Sequence, residues 1–234
     1  MAWPSLERPG GRYLFFSDAH MIYHGGSFKR MVDTIEESGG IVHPAVAWVG
    51  DYPPRPAYAH SWTPESETIE EWHYTRVAEE WFYVRAMGHC CVGMLREQFN
   101  EYQGYAEGLR GYGGGGMFLD TKWWMLGATV VTEPRVVTYH LSAPRRYMPR
   151  EMDYIYNAFY CASALGADEW GQRVFVKYLR KIPEAVLANL REEANRAGAE
   201  QRRFINGRAC YGFEELFQKM PWNGPLLMPR AGRV

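Results

Sequence analysis

Residues 63–111 have the sequence TPESETIEEWHYTRVAEEWFYVRAMGHCCVGMLREQFNEYQGYAEGLRG, and this stretch decides the fold class that the sequence predicts. It begins like a helix, with a hydroxyl residue at Thr63, a proline at Pro64 and an acid at Glu65. Apolar or small residues then recur every three or four positions, which is the helical period. They are Val77, Trp81, Val84, Gly88, Cys91, Leu95, Phe99, Tyr102, Ala106 and Leu109. One helix over this range would extend for about 70 Å, more than the width of a compact domain.

Glycines inside this predicted helix indicate a close contact. Gly88 and Gly93 each cost about 1 kcal/mol relative to alanine in a helix interior, and a second helix packed closely against small residues would offset that cost. We therefore predict that Ala86, Cys90 and Gly93 form a surface that binds a partner. A break of the helix near Gly104, with a loop beyond it, is the alternative.

The tail of the chain is a second predicted partner-binding segment. It is apolar, but it is too rich in proline to form a regular helix or strand. An apolar segment left in water is a liability, so we expect another chain to cover it. The residues expected to make this contact are Trp222, Leu226, Leu227 and Met228.

The composition excludes some classes of protein. A net charge of −1 and a pI of about 6.7 argue against nucleic-acid binding, which favours a strongly basic surface. Aromatic residues make up 15% of the chain, and they are enriched where surface is buried against a partner. The four cysteines form no C-x-x-C pair, which indicates reduced thiols in a non-secretory compartment. The sequence has no secretory signal pattern and no apolar run of the roughly 18 residues that a membrane span needs.

Several shorter elements are also predicted from local pattern. A helix at Ser27–Ser38 should end at Gly39, and a strand should follow at Ile41–Val49, where Pro44 would place it at a sheet edge. After residue 149, helical periods predict four helices, at 149–165, 167–181, 183–205 and 213–220.

The predicted fold class is therefore mostly α, with a long central helix, a C-terminal helical segment, extended arms and a few short strands. The chain divides into an extended N-terminal arm with short strand and helix elements (1–62), the long central helix (63–111), a Gly-rich loop and extended apolar segment (112–148), C-terminal helices (149–220) and an extended tail (221–234).

A different pattern lies near the N-terminus. A strand-like run ends in Asp18-Ala-His20, a D-x-H motif, and a later strand ends in Gly50-Asp51. Residues 13–51 resemble the opening of calcineurin-like metallophosphoesterases, and the resemblance implies that Asp18, His20 and Asp51 hold metal ions that activate water. The later motifs of that family, G-N-H-(D/E) and G-H-x-H, are absent, and Tyr139-His140-Leu141 contains one histidine. The resemblance thus implies a degenerate metallophosphoesterase-like hydrolase.

No other catalytic pattern in the sequence is complete. Glu70-Glu-Trp-His73 is a lone E-x-x-H, and a di-iron bundle needs two such motifs. The glycine run at 113–116 lacks the lysine and hydroxyl of a phosphate-binding loop. We therefore predict that the protein is not an enzyme, with no catalytic residues, no cofactor and no metal site.

These patterns favour a non-catalytic accessory subunit of a large multisubunit assembly, with other protein subunits as partners and no nucleic acid. The over-long helix, the aromatic excess and the apolar tail are typical of a chain covered by neighbours. The specific prediction is a mitochondrial respiratory-chain or ATP-synthase complex, with the protein at the periphery of the inner membrane and not secreted. The alternatives are the metallophosphoesterase-like hydrolase and a soluble adaptor domain.

Overall fold

The computed structural model describes residues 10–61, 71–74, 76, 78–141 and 150–219, and the structural statements below concern these residues. Its strands are β1 (Tyr13–Ser17), β2 (Met21–Ile22), β3 (Ile41–Trp48), β4 (Ala59–Ser61), β5 (Glu71–His73), β6 (Phe82–Tyr83), β7 (Cys91–Leu95) and β8 (Val130–His140). Its helices are α1 (Ser27–Ser38), α2 (Arg96–Glu101), α3 (Gly115–Met125), α4 (Glu151–Leu165), α5 (Asp168–Tyr178), α6 (Glu184–Asn206) and α7 (Phe213–Lys219).

The centre of the fold is a mixed six-stranded sheet with the strand order β1-β7-β3-β8-β2, in which β6 also pairs with β8. Strands β3 and β8 are parallel, while β7 is antiparallel to both of its neighbours, β1 and β3. Strands β1, β3 and β8 therefore run in the same direction, and their carboxyl ends meet at one edge of the sheet. Strands β4 and β5 form a separate two-stranded sheet.

Helices cover both faces of the central sheet. Successive residues of a strand face opposite sides, and in β7 Val92 and Met94 pack with α3 and α4, whereas Cys91 packs with α1. Helix α4 is buried along most of its length because α3, α5 and α6 pack around it. The described residues are 45% helix and 21% strand, so the protein has an α/β fold and the prediction of a mostly α fold is wrong.

The predicted long central helix is replaced by short elements. The described part of residues 71–101 forms β5, β6, β7 and the short helix α2. Aromatic residues such as Phe82 and Tyr83 favour strands, and their pairing with β8 overrides the helical spacing of the local sequence. The start of the predicted helix, residues 63–70, lies outside the described residues.

Gly88 and Gly93 do lie at close contacts, but the contacts are made within this chain. A Cβ at Gly93 would lie 2.4 Å from Cε1 of Phe15, and a Cβ at Gly88 would lie 2.3 Å from Cη2 of Trp72. Phe15 belongs to β1 and Trp72 to β5. The close neighbours of these glycines are therefore aromatic rings on strands, and the predicted packing of helix against helix is wrong.

Pro44 lies in a central strand, not at the edge where the sequence placed it. Strand β3 is paired on both sides, and its register with β8 shifts between Pro44 and Ala45. Proline has no backbone N–H to donate to a neighbouring strand, and a bulge accommodates that missing donor.

Glu133 lies in the part of β8 that faces this bulge, and it is fully buried. Its carboxylate accepts hydrogen bonds from the Thr34 hydroxyl at 2.8 Å and from Nε and Nη2 of Arg135 at 2.7 and 2.6 Å. Burial raises the pKa of Glu133, but the hydrogen bonds from Arg135 and Thr34 outweigh it, and the pKa in the folded protein is lowered. Because Thr34 is on α1, the carboxylate joins α1 to the sheet.

We expect Glu133→Gln to lower the free energy of unfolding at pH 7 by about 1–3 kcal/mol, since a buried charge-assisted network is broken. A carboxylate whose folded pKa is lowered stabilises the protein above its unfolded pKa of about 4.3, and that contribution is lost as the pH falls through the folded pKa. The difference in stability between variant and parent should therefore shrink below about pH 4 in urea unfolding experiments. Glu107→Gln, at an exposed position, is the matched control. An equally large difference at about pH 3 and pH 7 would contradict this role for the Glu133 carboxylate.

Candidate functional site

His140 lies next to two other candidate ligands at the edge of the sheet where β1, β3 and β8 end. Asp18 follows β1, His20 lies in the turn before β2, and His140 is the last residue of β8. Nε2 of His140 lies 2.9 Å from Nε2 of His20 and 3.5 Å from Oδ2 of Asp18. In open α/β sheets, ligands bind outside the carboxyl ends of the parallel strands, so we call this group of three residues the edge site.

Backbone hydrogen bonds fix the positions of the edge-site residues. The N–H of Asp18 donates to the carbonyl of Cys90 at 2.8 Å, and the N–H of Leu141 donates to the carbonyl of His20 at 3.0 Å. Strand β2 pairs antiparallel with the end of β8, which places His140 beside the turn that carries His20. The three side chains are thus held together by the sheet.

The donor set of the edge site fits a divalent metal ion. Imidazole nitrogens suit zinc and iron, and a carboxylate oxygen extends the range to manganese and magnesium. Ligand atoms about 2.1 Å from one ion lie roughly 3.0–3.5 Å apart, which matches the two distances above. Asp18 is exposed, so an ion here remains accessible to a substrate. The thiol of Cys90 is a further donor, because ligand atoms of Asp18, Cys90 and His140 lie within 4.8 Å of one another.

The metallophosphoesterase resemblance implied Asp18, His20 and Asp51 as ligands, and the structure places the first two next to His140. Asp51 is exposed in a turn after β3. Neither Asp51 nor His20 belongs to the two groups of described residues whose ligand atoms all lie within 4.8 Å of one another. His140 lies 120 positions from His20 in the sequence, and the strand pairing that brings it to the edge is not encoded in any local pattern.

The helix face that was predicted to bind a partner does not form. Its residues, Ala86, Cys90 and Gly93, do not lie on a helix. Ala86 makes a backbone bridge to His60, the carbonyl of Cys90 accepts the N–H of Asp18, and Gly93 lies in β7. Contact of these residues with another chain stays a prediction. The other predicted partner residues lie outside the described part of the chain: Trp222, Leu226, Leu227 and Met228.

A second cluster of titratable side chains lies in the interior. His43 on β3, His89 in the turn before β7 and Asp120 on α3 meet there, and we call them the interior cluster. Oδ1 of Asp120 lies 3.3 Å from Nε2 of His43 and 3.0 Å from Nε2 of His89. Its Oδ2 accepts the N–H of Met87 at 2.9 Å. Burial raises the pKa of Asp120, but His89 and His43 outweigh it, so its pKa is lowered and the carboxylate is ionised.

Tyr105 interacts with residues of both sites. Its hydroxyl is 2.6 Å from Nδ1 of His89 in the interior cluster. Burial is the main cause that raises the pKa of Tyr105, and the carboxylates of Asp120 and Asp18 raise it further. The interior cluster and the edge site are therefore close enough to act electrostatically on one buried hydroxyl.

Comparison with known proteins identifies the kind of fold. No protein-family model matches the sequence, and no curated protein matches it. Among solved structures, the crystal structure of GalNAc-T7 with UDP, GalNAc and Mn²⁺ matches with a TM-score of 0.65 and 16% sequence identity. The match covers 90% of this chain and 40% of that one, so this chain spans about two-fifths of its length. At this identity the comparison shows the fold alone, which is similar to that of the matched part of GalNAc-T7.

This similarity corrects the predicted function. The match to GalNAc-T7 contradicts the predicted respiratory-chain or ATP-synthase accessory subunit, and it contradicts the metallophosphoesterase-like alternative. The prediction that the protein is not an enzyme is also contradicted. The accessory-subunit prediction rested mainly on the long helix, which the structure replaces with short strands and the helix α2. The other two predictions rested on short local motifs, which do not reveal contacts between distant strands.

The match to GalNAc-T7 does not test the predicted location or the predicted protein partners. No described helix has both the length and the apolar character that a crossing of the bilayer requires. The protein partners and the mitochondrial location stay predictions, which the fold does not test. The comparison therefore establishes an α/β fold that resembles GalNAc-T7 over most of this chain.

Proposed function

We propose that this chain carries a metal-dependent site that transfers a sugar from a nucleoside diphosphate sugar to an acceptor and releases the nucleoside diphosphate. The observation that carries the proposal is that His140 lies close to both Asp18 and His20 at the carboxyl edge of the sheet, with the thiol of Cys90 within reach of Asp18 and His140. The similar fold of GalNAc-T7 was solved with UDP, GalNAc and Mn²⁺, and a mixed set of imidazole and carboxylate donors is compatible with that ion. Since folds host unrelated functions, the argument rests on the site and not on the fold.

Each residue of the edge site has a distinct part. The exposed carboxylate of Asp18 would supply the negative charge that attracts a cation, while His20 and His140 would bind it through ring nitrogens. A divalent cation held there would supply Lewis-acid stabilisation of the negative charge that develops on the departing diphosphate. The backbone bonds of Asp18 and His20 hold the ligands in place, so little reorganisation is needed when a substrate binds.

The proposal is tested by Mn²⁺ binding to the purified chain, followed by electron paramagnetic resonance with and without UDP. We expect UDP to strengthen Mn²⁺ binding, because phosphate oxygens complete the coordination of the ion. His140→Ala should weaken Mn²⁺ binding by about 100-fold, since loss of a direct ligand costs at least as much as loss of a group that supports one. Release of UDP from UDP-sugars should require Mn²⁺ and should be lost in the same variant.

The matched control is His24→Ala. His24 is exposed, its ring lies 5.7 Å from that of Tyr139, and it is not among the converging ligands. This variant should bind Mn²⁺ and UDP like the parent protein. Mn²⁺ affinity that is unchanged in His140→Ala, or Mn²⁺ binding that is indifferent to UDP, would overturn the proposal.

A further inference from the structure

The interior cluster takes no part in the function proposed above, and its geometry points to a second metal site. We propose that His43, His89 and Asp120 form an enclosed zinc site that fastens β3, the turn before β7 and α3 to one another. This inference does not depend on glycosyl transfer, because none of its three ligands belongs to the edge site.

The donor atoms already have the spacing of a zinc site. Ligand atoms about 2.0–2.1 Å from a tetrahedral ion lie roughly 3.3 Å apart. The Nε2 atoms of His43 and His89 lie 3.3 and 3.0 Å from Oδ1 of Asp120, and the two imidazole rings are 4.9 Å apart between centroids. The three residues come from three separate elements of the fold, so their convergence is set by the packing of the sheet against α3.

The buried carboxylate of the cluster favours a cation. Asp120 is fully buried, and among the described residues its ion pairs are with His43 and His89. A buried carboxylate is costly unless something supplies positive charge. A zinc ion supplies that charge and accepts the lone pairs of neutral imidazoles.

The neighbours of the two histidines fit metal ligation. A ligating histidine donates its other ring N–H to a carbonyl, carboxylate or similar acceptor. Nδ1 of His89 lies 2.6 Å from the Tyr105 hydroxyl, which can accept its proton. Without a metal, His43 donates from Nε2 to Asp120. Its Nδ1 is buried and has no hydrogen bond to a described residue.

His60 provides an independent observation that points to the same ligand. Its side chain is only 4% exposed, and its Nε2 is buried without a hydrogen-bond partner in the described part of the chain. A Cβ at Gly88, the residue before His89, would lie 3.0 Å from Cε1 of His60, so this imidazole lies beside the turn that carries His89. His60 is not among the converging ligands, but a buried nitrogen without a hydrogen bond beside them is a polar group that requires an explanation.

Cobalt substitution tests the proposal without disturbing the interior. The double variant His20→Ala/His140→Ala removes two edge-site ligands, so metal bound by this protein reports on the interior. We expect it to bind one equivalent of Co²⁺ with the intense visible absorption of a tetrahedral ion, and Zn²⁺ to displace the cobalt. Weak absorption typical of octahedral Co²⁺, or no stoichiometric uptake of Zn²⁺, would overturn the proposal.

Substitution of an interior ligand provides the second arm. In the same background, His89→Gln should weaken Zn²⁺ binding by about 100-fold, whereas His24→Ala should leave it unchanged. Zn²⁺ should raise the melting temperature of the background protein and not that of the His89→Gln protein, a difference that a purely hydrogen-bonding role would not produce.

If His89→Gln does not fold, Asp120→Asn takes its place. If neither variant folds, the cobalt result on the background protein decides alone. Unchanged Zn²⁺ affinity in a folded interior variant would refute the site.

Discussion

Gly93→Leu is expected to destabilise the protein by about 3 kcal/mol or more, because it overpacks a site that has no space. Gly93 lies in β7, between β1 and β3. A Cβ at this position would lie 2.4 Å from Cε1 of Phe15 and 3.2 Å from Cδ1 of Ile35. The ring of Phe15 is itself packed edge-on against Phe28, with 5.0 Å between centroids, and Ile35 is fully buried. A leucine can therefore enter only if β1 or α1 moves.

Urea unfolding of the variant and the parent measures this effect. Gly25→Leu is the matched control, since a Cβ at Gly25 has no neighbour within 4 Å and the residue has no positive φ. Gly93→Ala should give a smaller loss than Gly93→Leu, because it adds only the Cβ. If Gly93→Leu unfolds at the same urea concentration as the parent, the packing of Phe15 against β7 is not as tight as the structure indicates.

Elements with a local signal could be predicted from the sequence. Helix α1 was expected at Ser27–Ser38 and has those bounds. Its stop signal is local, since Gly39 takes the left-handed conformation with φ 68° and donates its N–H to the carbonyl of Ile35. Helix α6 at Glu184–Asn206 lies within one residue of its expected range, because a proline opens it and its apolar stripe is continuous.

The central sheet could not be predicted in the same way, because its strands are specified by distant partners. Residues Cys91–Leu95 satisfy the helical spacing of the surrounding sequence, but they also satisfy the alternation of a short strand. Pairing with β1 and β3 decides between the two, and β1 lies far away in the sequence. A short apolar run with both periods is the case in which sequence pattern is ambiguous.

The same reasoning explains what was missed at the two sites. The D-x-H motif drew attention to Asp18 and His20, which the edge site does contain, but the third ligand comes from the far end of β8. In the interior cluster, Asp120 lies 77 positions from His43 and 31 from His89, and no motif spans those distances. Metal sites built across a sheet are therefore visible only once the strand order is known.

A second large loss of stability is expected at Asn157, whose side chain holds the loop that leads into α3. Asn157 lies on α4 and is 1% exposed. Its Oδ1 accepts the N–H of Arg110 at 2.7 Å, and its Nδ2 donates to the carbonyls of Arg110 and Gly113 at 2.6 and 2.9 Å. Asn157→Leu leaves these three backbone groups without their partner. Since an unsatisfied buried group costs about 1–3 kcal/mol, we expect the variant to lose about 3–5 kcal/mol.

The effect of Asn157→Leu should extend to the interior cluster through the start of α3. Gly114 precedes that helix in the left-handed conformation, with φ 80°. A Cβ at Gly116, in the first turn, would lie 2.7 Å from Cδ2 of His89, so the helix start and the imidazole are in close contact. Loosening this loop should therefore weaken Zn²⁺ binding by the interior cluster, while Mn²⁺ binding at the edge site should change less.

Urea unfolding again provides the measurement, and Asn195→Leu is the matched control. Asn195 is exposed on α6, so the same chemical change there should alter the free energy of unfolding by less than about 0.5 kcal/mol. Asn157→Asp keeps the acceptor for Arg110 but replaces both donors with a buried carboxylate oxygen that faces two carbonyls, so it should also destabilise the protein at pH 7. An Asn157→Leu protein as stable as the Asn195→Leu protein would mean that water satisfies Arg110 and Gly113, and that Asn157 does not hold the loop.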